Sequence, residues 1–421
     1  MFPLIISLIT IIFWLLSKHS LISITGNPLL SLSQIASLIG AVLLSFTFVL
    51  SSRFNFLEKY FGSLDQVYKK HHFIGAISFL LLISHPLLLT LQAIQDSIST
   101  TMYLLPSNNI IYTAGVLALY SLIIFLTFTL LIKLPYHLWY LTHQLMGIVL
   151  FFALIHINFI TSDVSRFPLL KIWILAWILF ALISYIYKRF FYVKNGPKST
   201  YQVNKIENIN GLLDLSLSPT EKPLKYSPGQ FVFISFQQNG IKPEFHPFSI
   251  VSPQDSNHLR FCIKVFGDYT GSIIDLKPGS IATIMGPYGQ LHKFYESDKN
   301  LVLIAGGIGI TPFISMIDSE VVNPKNRQIN LFYSNKNSDS AFNHQNFLEI
   351  STTNKNFKYH PIFTESDPRL SAAFISSHVS GFQSSTFLLC GPQTMMESIK
   401  NQLLELNIEP KNIYYEDFYL N

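Results

Sequence analysis

The charges in this chain are distributed very unevenly. Only 12 Asp, Glu, Lys or Arg residues occur in 1–187, against 41 in 188–421. A helix needs roughly 20 apolar residues to cross the ~30 Å hydrocarbon core of a bilayer. Six stretches approach that length, at about 2–17, 28–50, 71–92, 109–132, 138–160 and 168–187. The first is the shortest. The chain therefore reads as a membrane half followed by a soluble half. Six spans place both termini on one side. Arg53, Lys59, Lys69, Lys70, Lys133, Lys188, Arg189, Lys194 and Lys198 fall on one side of these spans, and Lys18, Arg166 and Lys171 on the other. The positive-inside bias makes the richer side cytoplasmic, with the soluble half on it. The opening MFPLIISLITIIFWLLSKHS has no basic residue before its apolar run and no small-residue cleavage site, so it reads as a retained membrane helix.

Charge and cysteine content narrow the alternatives. A net charge of +5 is too diffuse to argue for nucleic acid. Cys262 and Cys390 are the only cysteines, so no disulfide framework is expected, and a reducing compartment suits the soluble half.

Ionisable residues inside a bilayer are costly and usually face the bundle interior with a partner. The third stretch carries His71 and His85, 14 residues apart. On a helix, 14 steps return a side chain to within about 40° of its starting direction and ~21 Å further along. The fifth stretch carries His143 and His156, 13 apart. That spacing leaves them poorly aligned on an ideal helix, and a bend or a change of pitch is needed to aim both at one neighbour. The third and fifth stretches run in the same direction. His71 with His143, and His85 with His156, then form two pairs at two depths. Paired imidazoles suit the iron of two stacked haems. The alternative is four interfacial or packed histidines. His72, His137 and His19 have no such mates. Pro86, beside His85, is a candidate kink.

Residues 195–298 change character. GQFVFISF, HLRFCIKVF and SIATIMG are short β-rich runs separated by Pro/Gly turns, which predicts a small antiparallel barrel. Within it, His246-Pro247-Phe248-Ser249 offers two rings that can lie against a planar ligand and a hydroxyl that can donate to it. A plain structural strand has the same composition. Lys264 and Thr270, beside Gly267 and Gly271, suit a pyrophosphate.

From 299 to 421 the pattern becomes strand, turn, helix. In NLVLIAGGIGITPFISMI, Gly306, Gly307 and Gly309 let a backbone approach a ligand, with Thr311 as the expected N-cap and Pro312 as the first helical residue. QINLFYSN ends in Ser334-Asn335-Lys336, with no acid there to hold a ribose diol. A hydroxyl and a cation favour a 2′-phosphate, hence NADPH over NADH, although Asp339 is close by. Cys390-Gly391-Pro392 closes a further strand.

Taken in this order, these residues resemble the ferric reductase and NADPH oxidase superfamily, in particular its compact bacterial members. The resemblance implies a multi-domain fold: a six-helix transmembrane haem bundle (1–190), then a ferredoxin-reductase-like unit. That unit comprises an antiparallel β-barrel flavin domain (195–298) and an α/β nicotinamide-binding domain (299–421). It implies two b haems on His71/His143 and His85/His156. It implies FAD on His246, Pro247, Phe248, Ser249, Lys264 and Thr270, with Phe418 as the terminal aromatic over the flavin. NADPH falls to Gly306, Gly307, Gly309, Thr311, Pro312, Cys390, Gly391 and Pro392, with Ser334 and Lys336 at its far end. The expected activity is transfer of electrons from cytoplasmic NADPH through FAD and two haems to an acceptor outside, oxygen giving superoxide. A ferric chelate is the rival acceptor. A membrane-anchored flavin reductase without haem is the rival enzyme. No obligatory protein partner is evident, and the expected location is the plasma membrane.

Overall fold

The computed structural model describes every residue except 1, 19, 21, 133, 193–197, 210 and 417–421. By its contacts the chain forms two compact units. One comprises Met1–Leu57 and Gln66–Lys194, the other Glu58–Asp65 and Asn195–Asn421.

The first unit is helical: α1 (Phe2–Leu16), α2 (Pro28–Ser51), α3 (Leu64–Gln95), α4 (Ile110–Leu130), α5 (Tyr136–Gln144), α6 (Met146–Phe159) and α7 (Pro168–Ile186). Among the described residues, five segments are long and apolar enough to cross a membrane: Pro28–Ser51, Leu64–Gln95, Ile110–Leu130, Leu138–Phe159 and Pro168–Tyr192. The expected sixth, α1, is a shorter apolar helix and is not among them. The 15 residues of α1 reach only about 22 Å at 1.5 Å per residue. Many apolar side chains, such as Phe73, Leu80 and Ile172, stay exposed on these helices, as lipid contact requires. Pro86 lies within one continuous α3, so the expected kink does not interrupt the helix.

Helix α2 is the most enclosed of these segments. Gly40 allows a close approach to α3: a Cβ there would stand 2.9 Å from Leu82. At the same level the Ser78 hydroxyl donates to the Gly40 carbonyl at 2.8 Å. Small residues commonly mark such contacts between membrane helices. The fifth stretch is not one helix. It divides at Leu145 (φ −67°, ψ −5°) into α5 and α6. Around the division the bonds shorten to three-residue steps, from Leu145 N to Thr142 O and from Ile148 N to Leu145 O. This is the change of pitch that the 13-residue spacing requires.

The second unit contains two sheets. A six-stranded antiparallel sheet has the order β4-β3-β6-β1-β2-β5. Its strands are β1 (Lys198–Ile209), β2 (Leu212–Pro219), β3 (Phe231–Gln237), β4 (His246–Ser249), β5 (Leu259–Lys264) and β6 (Ile281–Tyr288). Edge strands β4 and β5 come into contact, so the sheet curls around its own core of Tyr201, Leu215, Phe236, Phe261 and Ile284. The other sheet is parallel, in the order β11-β10-β7-β8-β9. It comprises β7 (Leu301–Gly306), β8 (Ile329–Asn335), β9 (Phe357–Phe363), β10 (Thr386–Cys390) and β11 (Ile413–Tyr415). All six residues of β7 are buried, as expected of a central strand covered on both faces. The sheets meet where the Ser227–Gln230 turn docks on α8 (Thr311–Val322): Gly229 N donates to Ser315 Oγ at 2.9 Å. A Cβ at Gly229 would collide with Met316.

Candidate functional site: paired histidines and a two-sheet cofactor edge

In the first unit all four predicted histidines are held in the same way. His71 Nδ1 lies 2.9 Å from the Thr47 carbonyl and His156 Nδ1 2.9 Å from the Ile111 carbonyl. A carbonyl only accepts, so both nitrogens carry the hydrogen. His85 Nδ1 is 3.1 Å from the Ser33 carbonyl and 2.8 Å from its hydroxyl, which itself donates to the His85 carbonyl. His143 Nδ1 is 3.3 Å from Thr129 Oγ1, whose hydrogen goes to the Phe125 carbonyl. Each ring is therefore an Nδ1–H donor with the lone pair on Nε2. That is the tautomer and the anchoring that a metal-binding imidazole needs.

The pairing follows the spacing. The His71 and His143 ring centres are 6.0 Å apart. Two imidazoles sharing one metal at bonds of about 2 Å place their ring centres roughly 6 Å apart. His85 and His156 lie within electrostatic reach of each other. None of the four rings is fully packed. Trp139 stacks on His143 at 5.5 Å and 10°. The donor set and its open faces fit bis-imidazole haem. Gly115 makes room for the His156 ring, since a Cβ there would stand 2.8 Å from His156 Nδ1.

In the flavin-domain sheet, His246, Pro247, Phe248 and Ser249 form the short edge strand β4 against Phe231–Ile234. The His246 ring stacks on Tyr269 at 3.7 Å, and its Nε2 lies 3.2 Å from Glu244. Burial lowers the His246 pKa, while Glu244 opposes the shift. Lys264 ends β5 and is exposed. Thr270 closes the turn below it, donating to the Phe266 carbonyl and accepting from the Phe266 N–H, both at 2.7 Å. Gly267 (φ 85°) faces open space. Phe418 lies outside the described residues. Cys262 is core, its thiol pushed up to about 12 by burial.

The nicotinamide sheet gathers its predicted residues at one edge. Register pairs Gly306 with Ser334, and Cys390 with Ala305. The ends of β10, β7 and β8 thus lie side by side at the carboxyl edge, where ligands of open α/β sheets bind. The glycines divide their work. A Cβ at Gly309 would stand 2.3 Å from the Cys390 carbonyl oxygen, and one at Gly306 2.7 Å from Pro392. Gly309 lets the turn after β7 pack on the backbone that ends β10, and Gly306 makes room for the Pro392 and Met395 side chains. Gly307 (φ 54°) has nothing within 4 Å and is the glycine open to a ligand.

Thr311 is not the N-cap. The 3-10 turn Gly307–Ile310 runs directly into α8, so Thr311 is already helical and its hydroxyl returns to the Ile308 carbonyl at 3.0 Å. Pro312 follows in the first turn. At the end of β8 the buried Asn335 Nδ2 has no hydrogen bond of good geometry among the described residues, though its side chain lies beside the Tyr333 hydroxyl. Lys336 pairs with Glu365 at 3.2 Å. The sequence reading missed Glu244, Tyr269 and Glu365. It also missed all four histidine partners, two of which act through backbone carbonyls alone.

Comparison with known proteins agrees with this division. Residues 36–154 match the ferric reductase like transmembrane component, 195–291 an FAD-binding domain and 303–401 an oxidoreductase NAD-binding domain. The anthranilate 1,2-dioxygenase electron transfer component of Acinetobacter baylyi is 27% identical over 51% of this chain, but the match spans only 65% of that protein. A flavohemoprotein of Oceanobacillus iheyensis is 24% identical over 63% of this chain and 72% of its own length. The flavohemoglobin structure from Malassezia yamatoensis, with FAD and heme bound, aligns with a TM-score of 0.53 at 17% identity over 94% of this chain and 97% of its own. It shows the same fold order: a helical N-terminal part, then the two reductase sheets.

Proposed function

We propose that this chain, whose matched domains have a ferric reductase and NADPH oxidase-like architecture, is an NAD(P)H-dependent oxidoreductase that moves electrons from NADPH, through FAD and two b haems, across a membrane to oxygen. The observation that carries the proposal is the common anchoring of four imidazoles. Each donates from Nδ1 to an oxygen of another helix and keeps Nε2 for a metal. His71 and His143 would hold the inner haem, and His85 and His156 the outer. His246, Pro247, Phe248, Ser249, Lys264, Thr270 and Phe418 would hold FAD. Gly306, Gly307, Gly309, Thr311, Pro312, Ser334, Lys336, Cys390, Gly391 and Pro392 would hold NADPH.

FAD and haem, when bound, supply the conversion of one hydride into single electrons. The protein supplies position. Gly307 and the N–H groups opening α8 present an electropositive turn to a pyrophosphate. Ser334, Asn335 and Lys336 supply donors to a 2′-phosphate. Two imidazoles on each metal would leave no open position for an acceptor, so oxygen would be reduced without binding the metal, one electron per molecule giving superoxide. The predicted outer segments, at about 18–27, 93–108 and 161–167, are short and have no His-rich or acidic run to collect iron. The basic residues flanking the spans favour a cytoplasmic reductase half. Reduction of ferric chelates is the second reading, favoured by the match over 36–154.

A reduced-minus-oxidised spectrum of purified protein, with haem quantified, tests the conduit: two b haems per chain are expected, and none would reject it. Alanine at His71, His85, His143 or His156 should remove the haem of the affected pair. NADPH-driven cytochrome c reduction separates the acceptors, because superoxide dismutase suppresses it only if superoxide is made.

A further inference from the structure

The C-terminal strand β11 is followed at once by Glu416, a carboxyl the proposed electron path does not use. It is 2% exposed. Its Oε1 accepts from Gln290 N at 2.6 Å and from the Tyr414 hydroxyl at 3.3 Å. Its Oε2 is buried with no hydrogen-bond partner among the described residues. The Gly289-Gln290 turn wraps closely around it: a Cβ at Gly289 (φ 102°) would stand 3.3 Å from Oε2. The same Gln290 reaches the other way, its side-chain amide donating to Glu58 Oε2 at 3.1 Å. Residues 58–65 lie between the second and third spans in sequence, yet by their contacts they belong to the reductase unit. In that segment Ser63 and Asp65 are buried, and the Ser63 hydroxyl donates to the Asp65 carboxylate.

Among the described residues, the groups facing Glu416 come from three elements. They are Glu58 and Asp65 from the 58–65 segment, Tyr414 from its own strand, and the backbone N–H groups of Gln290 and Leu291. Two are acids. An ionised Glu416 would place a third negative charge among them, with one oxygen lacking any donor in a dry site, which is costly. A neutral carboxyl removes that charge. We propose that Glu416 is a proton-binding site whose neutral form fastens the C-terminal strand and the Gly289-Gln290 turn to residues 58–65, and whose ionisation releases them.

Burial first, then the Asp65 and Glu58 carboxylates, raise Glu416 from an ordinary 4.5 to about 8, against the Gln290 N–H, which lowers it. Between those values the fastened form holds a proton that the released form has lost. The fastening is therefore strongest below pH 4.5, weakens as pH rises through 8, and changes no further above it. The proposal concerns the fold alone, and its test does not depend on electron transfer.

The test is hydrogen–deuterium exchange of the full-length protein in detergent at pH 6 and pH 9, corrected for intrinsic rates. Opening of 58–65 and 413–416 should rise together by on the order of 10- to 100-fold between these pH values. Glu416→Gln, a permanent neutral mimic, should hold both segments closed at both pH values. Glu416→Ala should open both segments at pH 6. Equal wild-type protection at the two pH values would overturn the proposal. So would a Gln variant that follows wild type, or an Ala variant that stays closed.

Discussion

The two histidine-bearing spans meet the same requirement by different means. Helix α3 is continuous, and it lies against α2 in strict register. Ser33 meets His85, Gly40 meets Ser78 and Thr47 meets His71. Each step is seven residues on both helices, so the rows stay in line over two turns at a time. The partner span is interrupted. Its histidines are 13 apart, while their anchors on α4, Ile111 and Thr129, are 18 apart. The unequal steps come with the division of the helix at Leu145. Regular packing carries one half of the site, and a local irregularity carries the other.

The largest effect should come from breaking the regular half. Gly40→Leu would drive a side chain into Leu82 and Leu81 and push α3 from α2. Overpacking of this kind costs about 1–3 kcal/mol. His71 and His85, the two ligands proposed on α3, depend on that register. On the haem reading, the variant should lose absorbance from both haems, as a pyridine haemochrome assay would show. Retention of two haems would mean that the register does not set the ligands. Gly115→Val should do less. It crowds only the His156 ring, so one haem per chain should remain and Nε2 of His71 should still ligate. Loss of both haems in this variant would mean that the two depths are not independent.

This contrast also explains what could be read from the sequence. The 14-residue step of His71 and His85 is a helical repeat, and α3 is a regular helix, so the spacing predicted the geometry. The 13-residue step called for an irregularity without locating it, since Leu145 is neither Gly nor Pro. Thr47 and Ile111 anchor their histidines through backbone carbonyls, which any residue supplies. Ser33 and Thr129 are different: each is a hydroxyl in an apolar span and could have been flagged. In the reductase half the order of the motifs placed Gly306, Ser334 and Cys390 along one sheet edge, because parallel strands end together. The sequence pattern did not distinguish the glycine that faces a ligand from those required by packing. Gly307→Ala should cost about 1 kcal/mol through its positive φ. Gly309→Ala should cost far more, because its Cβ meets backbone rather than a movable side chain. Flavin reduction by NADPH in stopped flow should rank the two in that order.

The smallest effects should come from the two removable anchors. Ser33→Ala deletes the hydroxyl at 2.8 Å from His85 Nδ1 but leaves the Ser33 carbonyl at 3.1 Å. Thr129→Val deletes the one oxygen recorded beside His143 Nδ1, at the longer distance of 3.3 Å. Loss of such a partner usually weakens a metal site about 10- to 100-fold. Ser33→Ala keeps a substitute acceptor, and its ring should hold its tautomer. Thr129→Val keeps none among the described residues, and the His143 ring should be freer to turn despite starting from the weaker bond. On the haem reading, the haem of His71 and His143 should therefore dissociate faster in Thr129→Val than that of His85 and His156 does in Ser33→Ala, measured by transfer to a haem-scavenging apoprotein. The reverse order would show that bond length, rather than the presence of a second acceptor, governs how firmly each ring is held.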